Sequence, residues 1–228
     1  MNPGDLSTPP ARPVVEDASH PIPTAQIPKA VVRRLSLYAR ALQRLEQAGR
    51  EKVSSEELAK ILGCKSAQVR KDFAYFGQFG TPGLGYPVSS LRQEIAKILG
   101  SDRELHVAVV GVGNLGSALL NYGGFTKQGY RMICGFDADP SRWHETGPAK
   151  IPVYPVAELG RRIREQKIHI VVLAVPAEAA QEVAATCAEA GAEGIMSFVP
   201  ARLRLPEHVR VHQVDLALEL ESLGFYVR

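Results

Sequence analysis

"LHVAVVGVGNLGSALLNY", residues 105–122, decides the fold. "LHVAVV" is a continuous apolar, β-branched run, the pattern of a strand buried on both faces of a parallel sheet. "GVGNLG" follows without a break, and an apolar helix pattern, "SALLNY", comes after it. Strand, GxGxxG glycines and helix together are the fingerprint of a dinucleotide-binding loop. Its glycines have separate jobs. Gly111 makes the tight turn, Gly113 lets the backbone approach a pyrophosphate, and Gly116 lets the helix pack closely on the strand. Gly111, Gly113, Asn114, Leu115 and Gly116 are the expected coenzyme residues, since amides and a positive dipole end at a helix start suit phosphate.

Working outward toward the C-terminus, the next strand-like run, "RMICGFD", ends in Asp137, 21 residues after Gly116. An acid there hydrogen-bonds the ribose diol and repels a 2′-phosphate, which favours NADH and NAD⁺ over their phosphorylated forms. Asp139 is the alternative acid. Further strand-like runs, "HIVVLAV", "GIMSFV" and "VRVHQV", alternate with helical "VAELGRRIREQ" and "AEAAQEVAATCAEAG". Strand–helix alternation predicts an open α/β domain of Rossmann type.

The residues in front of the loop differ in kind. Residues 28–100 hold 13 Lys+Arg against 6 Asp+Glu, whereas residues 101–228 hold 13 against 15. A basic front half on a neutral back half points to a polyanion partner for the front alone. From Pro28 an apolar stripe, Val31, Leu35, Tyr38, Leu42 and Leu45, predicts a helix that stops near Gly49. "SSEEL" predicts a capping box between Ser54 and Glu57. A short helix with Leu58, Ile61 and Leu62 then breaks at Gly63, and Ser66 is the expected cap of the next. Two short helices about the turn "GCKS" form a helix-turn-helix pattern.

In the second of these helices Val69, Phe73 and Phe76 face a core by their spacing. The opposite side offers small alanines, cations and amides that suit a DNA groove. Lys65, Ser66, Gln68, Arg70, Lys71 and Tyr75 are the expected DNA-binding residues, while Asp72 is expected to pair within the protein. "GQFGTPGLGYPV" reads as a β-hairpin or wing. Val88, Leu91, Ile95 and Ile98 line a last helix ending at Gly100. The front half is therefore an all-α, winged-helix type of DNA-binding domain.

Residues 1–27, rich in proline, read as a disordered arm. No apolar run reaches the ~18 residues of a membrane span. The start, "MNPGDLSTPPARP", lacks the pattern of a secretion signal, which predicts a cytoplasmic protein. Cys64, Cys134 and Cys187 are odd in number and far apart, so neither a zinc site nor a disulfide framework is expected. His106, His144, His169, His208 and His212 have no acid or lysine partner at informative spacing, and no Ser/His/Asp or Cys/His signature is present. The coenzyme is bound with no residue evidently placed to use it, which argues against an enzyme. A small NAD-dependent oxidoreductase with an accessory basic domain, and a CoA- or nucleotide-binding ligase fragment, are the two rivals.

Taken together, "IPKAVVRRLSLYARAL", "VRKDFAYFGQFGTPGLGY", "GVGNLGSALLNY", "FDADP" and "PARLRLPEHVRVHQVDLALELESL" resemble the Rex family of redox-sensing transcriptional repressors, over residues 27–228. The resemblance implies a homodimer whose winged helix, residues 28–100, binds a palindromic operator. It implies a Rossmann domain, residues 101–213, that takes NADH or NAD⁺ as regulatory ligand. Residues 214–228 would carry a domain-swapped helix exchanged between subunits. It implies that Arg40 and Asp215 form a switch pair across the dimer, and that Tyr122 lies near the nicotinamide. Pro82 stands in the wing where some members carry a basic residue, and Leu216 follows Asp215 where some carry an aromatic.

Overall fold

The computed structural model describes residues 27–77, 79 and 84–227. The proline-rich arm up to residue 26, and Gly80, Pro82 and Gly83 of the expected wing, lie outside the described residues. The chain divides between Gly100 and Ser101 into two compact units.

The first unit runs α1 (Lys29–Gln47), β1 (Lys52–Val53), α2 (Ser55–Leu62), α3 (Ser66–Ala74), β2 (Tyr86–Pro87) and α4 (Val88–Leu99). Its core is the meeting of the apolar stripes: Leu35, Tyr38 and Leu42 from α1, Leu58 from α2, Val69 and Phe73 from α3, and Val88, Leu91 and Ile95 from α4. Phe76 is half-buried against the same cluster. The capping box forms as the sequence predicts. The Glu57 amide donates to Ser54 Oγ at 3.0 Å, and the Ser54 amide donates back to Glu57 Oε2 at 2.9 Å. Gly63 ends α2 in the left-handed conformation with φ 65°.

Three local details differ from expectation. Ser66 is the first residue of α3 rather than its cap. After left-handed Gly63 the one extended residue before the helix is Lys65, which makes no side-chain capping bond. Pro28 likewise precedes α1 as an extended cap whose carbonyl accepts the Val31 amide at 2.8 Å. Of the expected wing, β2 pairs antiparallel with β1, Lys52 opposite Pro87 and Val53 opposite Tyr86, a strand partner that the sequence reading did not include.

The second unit runs β3 (Leu105–Val110), α5 (Asn114–Leu120), β4 (Tyr130–Asp137), β5 (Val153–Pro155), α6 (Leu159–Glu165), β6 (Ile170–Leu173), α7 (Ala177–Glu189), β7 (Gly194–Ser197), β8 (Arg210–Gln213) and α8 (Leu216–Tyr226). The strands form one six-stranded sheet in the order β5-β4-β3-β6-β7-β8. Every neighbouring pair is parallel. The order reverses between β3 and β6, so the carboxyl ends of these two strands make the crevice where doubly wound sheets bind ligands.

The two faces of the sheet are covered unequally. On one, α6 and α7 bury Leu159, Ile163, Val183, Ala184 and Cys187 against Val110, Phe136, Val171 and Leu173. On the other, Leu120 of α5 packs with Val107, Val109 and Val172, while Ile170 and Met196 are only partly buried. An apolar groove of about 350 Å³ remains there, lined by Val107, Met132, Ile170, Val172 and Met196 with His212 at its edge. The last helix, α8, buries none of its side chains, and Leu218, Leu220, Leu223 and Phe225 are 60 to 73% exposed.

Candidate coenzyme loop and DNA-facing helix

The glycines of the loop are fixed by space. Gly111 has φ +89°, and a Cβ there would stand 2.3 Å from the Ala174 carbonyl oxygen at the end of β6. A Cβ on Gly116 would stand 1.8 Å from the Gly111 carbonyl oxygen. These are the tight-turn and close-packing roles expected of the first and third glycines. Gly113 has free space except for one neighbour, Arg142 Nη1, which a Cβ would meet at 3.2 Å.

Asp137 ends β4, is buried, and locks the loop. Its Oδ2 accepts the Val112 amide at 2.7 Å, and its Oδ1 accepts the Asp139 amide at 2.9 Å. A carboxylate offers about four lone-pair positions, and with Arg142 Nη1 also donating to Oδ2 at 3.5 Å about one remains for a ribose hydroxyl. Asp139 faces outward and caps the turn at 140–142, and the hydrogen bonds from Ser141 hold its carboxyl below the usual range. Arg142 spans both acids at 3.5 Å from each, and the Trp143 indole donates to the Asp137 carbonyl at 2.8 Å. Arg142 and Trp143 were not expected. The only signal for them is their place just after a strand-end acid, where a residue can fold back on the strand terminus.

Tyr122 lies two residues beyond the C-terminal end of α5, the far end of that helix from the glycine loop. It is 59% exposed, and its ring packs edge-to-face on Phe125 at 5.0 Å. Asp215 caps α8, accepting from the amides of Ala217 and Leu218 at 3.0 and 3.1 Å. Arg40 lies exposed on α1.

Two histidines and two cysteines lie away from the loop or deep in the core. His106 and His169 pack together at the starts of β3 and β6, the opposite end of the sheet from the loop, with the His106 amide donating to His169 Nδ1 at 3.1 Å. Burial pushes the Cys134 and Cys187 thiols up to about 12, so neither is a reactive thiolate at neutral pH. Among the described residues no group of His, Cys, Asp and Glu is arranged to hold a metal. Nor is any described helix long and apolar enough to cross a membrane.

In the first unit, α3 turns Val69, Asp72 and Phe73 inward. Lys65, Ala67, Arg70, Lys71 and Ala74 are exposed on its outer side, while Ser66, Gln68 and Tyr75 are half-buried. Arg70 Nη1 donates to Ser55 Oγ at 3.1 Å, a weak surface tie that leaves the guanidinium available. Asp72 pairs inside the protein as expected. Arg34 donates to it through Nε at 2.5 Å and Nη2 at 2.8 Å, and Tyr38 Oη at 2.9 Å. Gln68 also belongs to this cluster, its amide nitrogen donating to Asp72 Oδ1 at 2.8 Å. Burial opposes the Asp72 charge, but the bonds from Arg34, Gln68 and Tyr38 outweigh it and lower the carboxyl below its usual range.

Comparison with known proteins agrees with both units. Residues 26–74 match the family described as putative DNA-binding protein N-terminus, and residues 102–201 the CoA binding domain. A redox-sensing transcriptional repressor Rex of Syntrophobacter fumaroxidans is 41% identical over 203 residues, 89% of this chain and 97% of that protein. The Rex repressor of Lactobacillus gasseri is 46% identical over 204 residues, 89% of this chain and 94% of its own. The solved structure of RSP with β-NAD⁺ and operator DNA superposes with a TM-score of 0.82 at 34% identity, covering 88% of this chain and 92% of that one. RSP with β-NADH superposes with a TM-score of 0.78 at 32% identity, covering 89% and 94%.

Proposed function

Because the chain belongs to the Rex family of redox-sensing transcriptional repressors, we propose that it binds a palindromic operator and releases it when NADH occupies the second unit. The observation that carries this reading is the union, in one chain, of an outward cationic helix with a glycine loop locked by a buried acid. Residues 28–100 bind DNA through Lys65, Ser66, Arg70, Lys71 and Tyr75, while Gln68, also expected on that face from the sequence, is turned to Asp72. Residues 101–213 bind NADH or NAD⁺ through Gly111, Gly113, Asn114, Leu115, Gly116 and Asp137. The coenzyme is a regulatory ligand rather than a hydride donor to a substrate, and the protein acts in the cytoplasm.

The working form is a homodimer, and α8 is exchanged within it. A helix that exposes Leu216, Leu218, Leu220, Leu223, Phe225 and Tyr226 is costly in water unless a partner covers it. The open apolar groove of the sheet is a second surface wanting cover. A second copy supplies both at once. The same exchange makes sense of Tyr122 and Asp215, which would meet a nicotinamide and Arg40 across subunits. NAD⁺ carries a ring charge that NADH lacks, so an Arg–Asp pair near the ring responds to the redox state.

The match to a CoA-binding family keeps one rival alive. CoA carries a phosphate on its ribose, which would meet Asp137 and Asp139. The test is a palindromic duplex selected by the protein from a random pool. NADH should release it, with NADPH and CoA far weaker. Release by CoA, or steady turnover of NADH with a substrate, would refute the reading.

A further inference from the structure

The cluster around Asp72 has a role that the DNA reading leaves open. Asp72 is fully buried, and three side chains from two helices converge on it: Arg34 and Tyr38 from α1, and Gln68 from one turn earlier on α3. The two bonds from Arg34 form a fork, the charge-assisted geometry that fixes direction as well as distance. Arg34 is 29% exposed and Asp72 not at all, so the pair is partly shielded from water and salt. Arg70 and Lys71 are the two residues immediately before Asp72, and both point outward. On a helix that turns ~100° per residue, pinning Asp72 on the inner side fixes the direction in which these cations leave the helix.

We propose that Arg34, Tyr38, Gln68 and Asp72 form a positioning network that sets how α3 meets a DNA groove. Gln68 serves Asp72 in this network and does not read a base. The inference rests on α3 being the DNA-facing helix. Arg34 acts from α1, through Asp72, and needs no contact with DNA. Gln68 gives an amide hydrogen to the carboxylate, which holds the side chain against Asp72 rather than in the bidentate pose that reads an adenine.

The test uses full-length protein and the palindromic duplex that wild type selects from a random pool. Gln68→Ala, Arg34→Gln, Arg34→Lys and the Gln68→Ala/Arg34→Gln double variant are compared with wild type. All are measured below their melting temperatures, with NADH affinity as the control for the second unit. A positioning network predicts that Gln68→Ala and Arg34→Gln each weaken binding by roughly ten-fold, about 1.4 kcal/mol. The loss should be uniform across every base position of the half-site. The double variant should be little weaker than the worse single one, because both act through Asp72. Arg34→Lys should recover part of the loss, since it keeps the charge without the fork. Gln68→Ala that relaxes preference at a single base pair would show a base reader and overturn the proposal. So would wild-type operator affinity in Arg34→Gln. Wild type that binds NADH but selects no duplex would instead refute the DNA reading, and the proposal with it.

Discussion

The proposed ligand preference turns on one side chain, Asp137. Its carboxylate holds the Val112 amide, so it shapes the loop even before a coenzyme arrives. With Asp139 beside it, two acids face one arginine at the ribose end. A 2′-phosphate brought there meets net negative charge. Coenzyme fluorescence titration should give NADPH at least ten-fold weaker than NADH, a gap of about 1.4 kcal/mol. Asp137→Asn should narrow that gap, and equal affinities in the wild type would remove Asp137 from this role. Asp72 sets a pH limit by the same kind of reasoning. Its carboxyl is lowered in the folded unit, so its stabilising effect is complete above the ordinary carboxylate range. It is lost as pH falls through the lowered value. Thermal melts from about pH 5 downward should therefore show the first unit losing stability. An Arg34→Gln variant, less stable at neutral pH, should show a flatter decline. On the outer side of α3, Arg70→Ala and Lys71→Ala should each weaken operator binding and lower its salt slope by about one unit. NADH affinity should stay as it is, and unchanged operator affinity in both variants would mean another element meets the DNA.

Among the elements, α8 is the one whose isolated state makes least sense, with Phe225 73% and Leu220 70% exposed. Ending the chain at Val214 should convert a dimer to a monomer in sedimentation, and a truncated chain that stays dimeric would place the interface elsewhere. Asp215 heads this helix in two capacities, as its cap and as the expected partner of Arg40. Asp215→Asn keeps the capping oxygen and loses the charge. It should keep operator binding yet lose most of the difference between NADH and NAD⁺, whereas a ratio like wild type would route the coupling elsewhere. The elements legible in the sequence were those with strong local signals. The Ser54–Glu57 box, left-handed Gly63 and the strand–glycine–helix run around Gly111 all carry their geometry in a few adjacent residues. β1 and β5 were not legible, because two or three residues show no periodicity. β5 is a strand only because Val153–Pro155 lies beside the end of β4. Arg142, Trp143 and the commitment of Gln68 to Asp72 are choices of side-chain direction, and many directions suit the same spacing. The apolar side of the sheet left open beside α5 emerges only once all six strands are ordered.

The whole molecule joins two units. One presents cations on a helix fixed from within, and the other carries a glycine loop locked by a buried acid, the proposed place of a coenzyme whose two forms differ by a charge. A ligand that bound both DNA-competent and DNA-free forms equally would shift nothing. The account therefore requires unequal affinity, and a coupling of roughly 3 kcal/mol corresponds to about a hundred-fold change in operator affinity. The most direct measurement is the dissociation constant of the wild-type protein for the duplex it selects at saturating NADH and at saturating NAD⁺, in the same salt. The prediction is an operator constant weaker by about a hundred-fold with NADH than with NAD⁺. Equal constants in the two coenzymes would contradict it.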